Sequence, residues 1–337
     1  MLLKIEDDQT PPLPVIFGLS GEKLSKDEKA LFTSAKPLGF ILFARNCKNP
    51  KQLKKLIDDL KSAMGCDVPI LIDQEGGRVQ RLRAPEWTDY PPARQFGEAF
   101  LRDFAKGRQD LKQNTNMITR ELFDVGVNVN CAPVMDVLYP VTHDAIGDRA
   151  FSKDPEMVAA LGGVVCEEHL KAGIIPVVKH MPGQGRAASD SHHDLPVIRE
   201  SYKELKNSDL LPFKELLRKA YSEAVWGMVS HIVYFDIDSR APASCSRKVI
   251  QETIRQEIGF NGLLLSDDLC MGALERMGDA ASRADKALKA GCDVILHCNG
   301  NLSEMENVAS RVEKMTSKAV MRYNRSVAWV KRNFKHA

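Results

Sequence analysis

Eight times along this chain a short apolar run gives way to a stretch of helical periodicity, and that alternation limits the folds open to it. The runs lie at 15–19, 39–43, 69–72, 128–134, 176–178, 226–231, 262–266 and 293–297. Each reads as a buried strand. Between them the period changes to that of a helix. Ser25 and Glu28 form a capping box that opens a helix through Ala35, and 50–64 places Leu53, Leu56, Ile57 and Leu60 on one face. Further helices are expected over most of 91–126, at 155–172, as one long element at 202–224, at 246–258, in a segment ending near Gly291, and from 303 to 335. Eight strands, each feeding a helix, match a (β/α)8 barrel in count and in length. An open doubly wound sheet is the alternative, but no GxGxxG follows the first run. No low-complexity linker or charge block divides the chain. The expected fold is therefore α/β, a single-domain (β/α)8 TIM-type barrel over 1–337 with a C-terminal helical segment at about 303–335.

Polar residues that are costly to bury collect where these runs end. Asp73 closes the third, Lys179 and His180 the fifth, His231 the sixth, and Asp267 and Asp268 the seventh. In a barrel such ends converge on the face where active sites are built. One of them alone is what any strand end emerging into solvent admits; a ring of them favours function. The fifth run is expected to break at Lys179-His180, and Pro182, Gly183 and Gly185 then force a turn. The loop beyond carries Asp190 and His192, two residues apart, close enough for the carboxylate to orient and charge the imidazole. A surface-loop histidine fits that spacing equally well. Asp267 follows apolar residues apart from Ser266, so it is a structural acceptor or a rigidly held nucleophile or base, with Asp268 the structural member of the pair. Lys179, His180, Arg81 and Arg149 also fit as ion-pair partners.

Composition removes other classes. A formal net charge of +2 in 337 residues gives no electrostatic footprint for nucleic acid or a membrane surface. No apolar run approaches a bilayer span, and residues 1–8 lack the apolar core of a signal peptide, so a cytoplasmic location is expected. The eight cysteines form no CxxC pair, and several, such as Cys131, lie in apolar segments. That usage suits a reducing compartment rather than disulfides, and the spacing argues against a structural zinc site. No cofactor and no metal are expected, and the chain is expected to be a monomer.

Three motifs carry a family resemblance: Asp73-Gln74-Glu75-Gly76-Gly77-Arg78-Val79-Gln80-Arg81, the loop from Lys179 to Pro196, and Ser266-Asp267-Asp268-Leu269-Cys270-Met271. Together, in this order, the chain resembles the bacterial β-N-acetylglucosaminidases of glycoside hydrolase family 3 that recycle peptidoglycan. The resemblance runs from Gly39 to about Asn299. It implies a (β/α)8 barrel that removes a terminal N-acetylglucosamine from a muropeptide glycan with retention at the anomeric carbon. By position, it makes Asp267 the nucleophile and Asp190-His192 a dyad whose histidine is the acid/base. Asp73, Arg81, Arg149, Lys179 and His180 match sugar-holding residues, and His231 sits near the site. Where the family has histidine in a Pro-Gly-His-Gly turn, this chain has Gln184. Glutamine hydrogen-bonds but takes no proton, so no charged role falls there.

The implied chemistry suits the residues, since retention needs a carboxylate to form the glycosyl-enzyme and a proton donor for the leaving oxygen. A histidine acid/base carries no negative charge to repel phosphate, which opens a phosphorylase reading of the same site. A reading from another class makes Lys179 the Schiff-base lysine of a barrel aldolase, leaving Asp190, His192 and Asp267 without a role. A third is a barrel that binds sugar without catalysis.

Overall fold

The computed structural model describes residues 2–6 and 8–334. Ten strands follow in chain order: β1 (Leu13–Gly18), β2 (Pro37–Leu42), β3 (Ile70–Ile72), β4 (Val129–Asn130), β5 (Ile175–Met181), β6 (Val197–Ile198), β7 (Trp226–Val229), β8 (Val233–Tyr234), β9 (Leu264–Asp268) and β10 (Val294–His297). Eight close a barrel in the order β1-β10-β9-β7-β5-β4-β3-β2, each neighbouring pair parallel. The outer layer comprises α1 (Lys26–Ala35), α2 (Pro50–Met64), α3 (Ala93–Arg102), α4 (Phe104–Val125), α5 (Pro155–Lys171), α6 (Tyr202–Asn207), α7 (Leu211–Leu217), α8 (Ala280–Ala290), α9 (Leu302–Arg311) and α10 (Ser317–Asn333), with a π-helical segment at Val249–Ile258. The fold is the expected TIM-type barrel.

Local signals account for many boundaries. Ser25 and Glu28 form the capping box, and Glu28 also accepts the Ser20 N–H, tying the segment after β1 to α1. Asn49 caps α2, Pro50 occupies its first turn, and Gly65 ends it at φ 73°, where a side chain would be strained.

Several elements depart from expectation. β5 does not break at Lys179-His180 but continues to Met181. The main chain of Lys179 is bonded on its β4 side, accepting from Met135 N–H and donating to Pro133, while pairing with β7 resumes at Met181–Val229 after a register shift beyond Val178. Polar side chains end a strand only if the tertiary structure leaves them unpaired, and here it pairs them. The run at 128–134 is continuous strand only at Val129–Asn130, with a single further bridge from Val134 to Lys179; Pro133 between them has no N–H to give. The segment 91–126 divides at Asp103, which caps α4 through Lys106 N–H. The single helix expected at 202–224 is α6 and α7, divided so that Asp209, buried between them, receives Arg186. Likewise 303–335 is two helices, with Met315 N–H donating to Pro12 and Thr316 capping α10; Lys335 lies outside the described residues. The pair β6–β8 has no counterpart in the apolar pattern.

Candidate active site

A cleft of about 250 Å3 opens at the carboxyl ends of the barrel strands. Asp73, Arg81, Arg149, Lys179, His180, Asp190, His192 and Asp267 all line it, so the eight residues expected to act on or hold the substrate reach one cavity, whereas His231 does not. A larger cavity of about 420 Å3 lies at the opposite end of the barrel, among Val127, Ile175, Val327 and Val330. Its lining is apolar apart from Lys61 and Asn128, and it offers no acid–base pair.

One wall of the cleft is an ion-pair network. Lys179 Nζ lies 2.8 Å from Asp73 Oδ1 and 2.6 Å from Glu75 Oε1. Arg81 Nη2 reaches Asp73 Oδ2 at 3.0 Å, and Arg149 grips Glu75 through Nε and Nη2, both at 2.8 Å. Burial pushes both carboxylates toward the neutral form. The cations overcome it: Lys179 and Arg81 hold Asp73 below the usual range, and Arg149 and Lys179 hold Glu75 at about 2. Burial works against the Lys179 cation as well, but Asp73 and Glu75 raise its pKa above the ordinary lysine value. Three cations against two carboxylates leave this wall one positive charge in excess.

The loop that presents Asp73 and Glu75 is pinned from behind. The Gln74 side chain accepts the N–H groups of Arg81 and Leu82 and donates to the Leu82 carbonyl. Its main chain is held by Asn130, which receives Gln74 N–H and donates to Gln74 C=O. Asn130 Nδ2 also donates to His169 Nε2, which leaves Nδ1–H of that ring for the Val165 carbonyl. Burial pushes His169 down to about 4, so the ring is neutral.

Asp267 ends β9 with its Oδ1 accepting Asp268 N–H at 2.8 Å. Burial acts to raise its pKa; His231, His180 and that N–H bring it below the ordinary carboxylate value. Asp268 Oδ1 accepts Cys270 N–H and Cys298 N–H, binding the strand end to β10, a structural role. His231 lies just past β7, fully buried behind the cleft wall. Its Nε2–H donates to the Asp268 carbonyl and its Nδ1 is paired with Ser244 Oγ at 2.7 Å, so the ring is a strut that fixes the end of β9.

The turn after β5 is organised around Asp136. This buried carboxylate accepts His180 Nδ1–H at 2.7 Å, His180 N–H at 3.2 Å and Gln184 N–H at 2.7 Å. Gln184 Nε2 then reaches Ser191 Oγ at 3.3 Å, joining the turn to the loop that carries the dyad. Arg186, anchored on Asp209 and Glu200, holds the start of that loop. His192 Nδ1–H and its backbone N–H both donate to Asp190 Oδ1, at 2.7 and 3.0 Å, with the imidazole 64% exposed. Gly272 N–H and Ala273 N–H bond the carbonyls of His192 and Ser191, seating the loop on the segment after β9. Burial opposes the Asp190 charge, yet the two His192 bonds take its pKa below the usual value.

Glu75 and Asp136 were not among the candidates read from sequence. Glu75 lies inside the 73–81 motif, and Asp136 follows the apolar run at 128–134, so a carboxylate at a strand end was the available signal for both.

Residues 9–332 match the glycosyl hydrolase family 3 N terminal domain. The chain belongs to this family. It is a glycoside hydrolase. The protein "Beta-hexosaminidase" of Bordetella avium is 37% identical over 289 residues, covering 86% of this chain and 81% of that one. Its counterpart in Thioalkalivibrio sulfidiphilus is 39% identical over 286 residues, covering 85% and 80%. Among solved structures, NagZ from Neisseria gonorrhoeae in complex with N-trifluoroacetyl-D-glucosamine superposes with a TM-score of 0.85 at 29% identity, covering 96% of this chain and 94% of that one. A family 3 β-N-acetylglucosaminidase from Paenibacillus gives 0.81 at 28% identity, covering 95% of this hydrolase and 60% of that chain. No helix among the described residues is long and apolar enough to cross a membrane.

Proposed function

We propose that this hydrolase is a retaining exo-β-N-acetylglucosaminidase acting on peptidoglycan turnover products, N-acetylglucosamine β-1,4-linked to anhydro-N-acetylmuramic acid and its peptides. The observation that carries the reading is that Asp267 and the Asp190–His192 pair line the same cleft. Its volume falls below the roughly 300–1,000 Å3 of sites for drug-sized ligands, which suits one terminal sugar rather than a polymer. The names of the relatives supply the acetamido sugar.

In this reading Asp267, anionic and fixed by the Asp268 N–H, attacks the anomeric carbon and forms a glycosyl ester. His192 gives the proton on Nε2 to the departing glycosidic oxygen, because Nδ1–H is committed to Asp190. Asp190, held ionised, favours the imidazolium that must form. The neutral imidazole then takes a proton from water, whose oxygen opens the ester with a second inversion. Two buried polar atoms in the cleft residues lack partners, Arg81 Nε and Gln184 Oε1, one a donor and one an acceptor. Such atoms are rarely left unpaired. Gln184 Nε2 donates to Ser191 Oγ, so the residue holds a hydrogen-bonding place without needing a proton of its own.

Eight free cysteines fit a reducing compartment, and the proposed location is the cytoplasm, with the protein a monomer. Incubation with the disaccharide and product analysis tests the assignment: release of N-acetylglucosamine with its β configuration is expected. An α product, or sugar 1-phosphate formed whenever inorganic phosphate is present, would replace it with an inverting or a phosphorylase mechanism.

A further inference from the structure

Behind the cleft wall, three donors of different chemistry meet. Cys270 stands in the turn after β9, His297 ends β10, and Glu304 lies in the first turn of α9. One ligand atom from each, a thiol sulfur, a ring nitrogen and a carboxylate oxygen, lies within 4.8 Å of the others. His297 is fully buried, its Nε2 is 3.0 Å from Glu304 Oε2, and its Nδ1 has no hydrogen-bond partner. Asn299 Nδ2 donates to Glu304 Oε2 at 2.8 Å and Asn301 Nδ2 to Oε1 at 3.3 Å, so the carboxylate is held in orientation by neighbours that are not themselves ligands.

We propose that Cys270, His297 and Glu304 form a binding site for a zinc-type transition-metal ion. Sulfur, imidazole and carboxylate together select a borderline ion over the hard oxygen-seeking Mg2+ and Ca2+. A tetrahedral ion with Zn–S of about 2.3 Å and Zn–N of about 2.0 Å sets these donors about 3.6 Å apart, so the cluster must close by about 1 Å. Cys270 on its turn and Glu304, with 41% of its side chain exposed, have room to make that movement, while His297 stays fixed in the core. Solvent reaches the site on the Glu304 side, and a water completes the fourth position. The Asn299 amide remains on the carboxylate as the outer partner that metal ligands ordinarily have.

The ion would join the turn three residues beyond Asp267 to β10 and α9. Occupancy therefore stiffens the wall that carries Asp267 and Asp268, without placing the metal in the cleft: neither His297 nor Glu304 lines it. The spacing of the cysteines along the chain gives no sign of the site, because its ligands come from three separate elements.

Cobalt titration of the metal-free protein tests the proposal. One equivalent of Co2+ should produce the near-ultraviolet thiolate-to-cobalt charge-transfer band, and Zn2+ should abolish it. Cys270→Ser should remove the band. Glu304→Gln, shown folded by circular dichroism, should weaken cobalt binding by at least the ~10–100-fold that loss of an outer partner costs. A wild-type protein with no thiolate band, or a band that survives Cys270→Ser, would overturn the assignment.

Discussion

The Lys179 ammonium lies 2.8 Å from the Asp73 carboxylate, although 106 residues separate them in the chain. Glu75 stands on the same ammonium at 2.6 Å, so two buried anions hold this lysine charged. A Schiff base needs a neutral amine, and the environment raises the pKa of Lys179 instead of lowering it. The aldolase reading of this residue therefore fails on electrostatics, and Lys179 serves as the charge that keeps two carboxylates ionised beside the cleft.

Removing that charge while keeping the stem strands two buried carboxylates. Lys179→Met is expected to lose about 3–5 kcal/mol in denaturant unfolding, the usual cost of breaking a buried ion pair from one side. A variant as stable as wild type would mean that the network relaxes or takes up protons at little cost.

Asp267→Asn is expected to fold normally and to lose most turnover, because an amide cannot form the ester. In the wild type a 2-fluoro sugar with a good leaving group should label Asp267, as read by peptide mass spectrometry. A label on Asp268 would move the nucleophile by one position and leave its two backbone bonds unexplained.

His192→Ala separates proton donation from everything else. With the disaccharide, whose leaving oxygen is a basic alkoxide, the rate should fall by ~10²–10⁴-fold. With a dinitrophenyl glycoside, formation of the glycosyl-enzyme should be nearly spared and its hydrolysis should become limiting. Equal slowing of both substrates at the glycosylation step would rule out the general-acid role.

Gly272 reports on how the dyad loop is seated. A Cβ there would meet His192 O at 2.7 Å and His193 O at 2.9 Å, both main-chain atoms. Gly272→Ala should therefore push the loop away from β9, lowering kcat on the disaccharide more than on the activated glycoside. If the two substrates are affected equally, the substitution acts through general destabilisation rather than through the position of His192.

His169 ties stability to pH. An unfolded-chain histidine titrates near 6.5, whereas burial holds this one at about 4, against the smaller pull of the Val165 carbonyl. Between those values the unfolded state binds more protons, so stability is complete above pH 6.5 and declines as the pH falls toward 4. At pH 4.5 the loss from this ring amounts to roughly 2–3 kcal/mol. Urea unfolding of His169→Gln, whose amide does not titrate, should show a pH 7 to 4.5 decrease smaller by that amount; an unchanged decrease would assign the effect to other groups.

Sequence alone determined the architecture and much of the cleft. Apolar runs and helical periods are read over a few residues, so the eight strands and the Ser25–Glu28 capping box were legible, as was the placing of Asp73, Lys179, His180 and Asp267 at strand ends. Tertiary structure decided what depends on partners far along the chain. β5 runs through Lys179 and His180 because Asp73, Glu75 and Asp136 pair their side chains, and 202–224 divides because Asp209 is drawn to Arg186. The meeting of Cys270 with His297 and Glu304 belongs to the same kind. Local pattern records which residues favour burial or a turn; it carries no record of which charge will stand opposite another once the barrel closes, and for a buried charge that pairing decides the outcome.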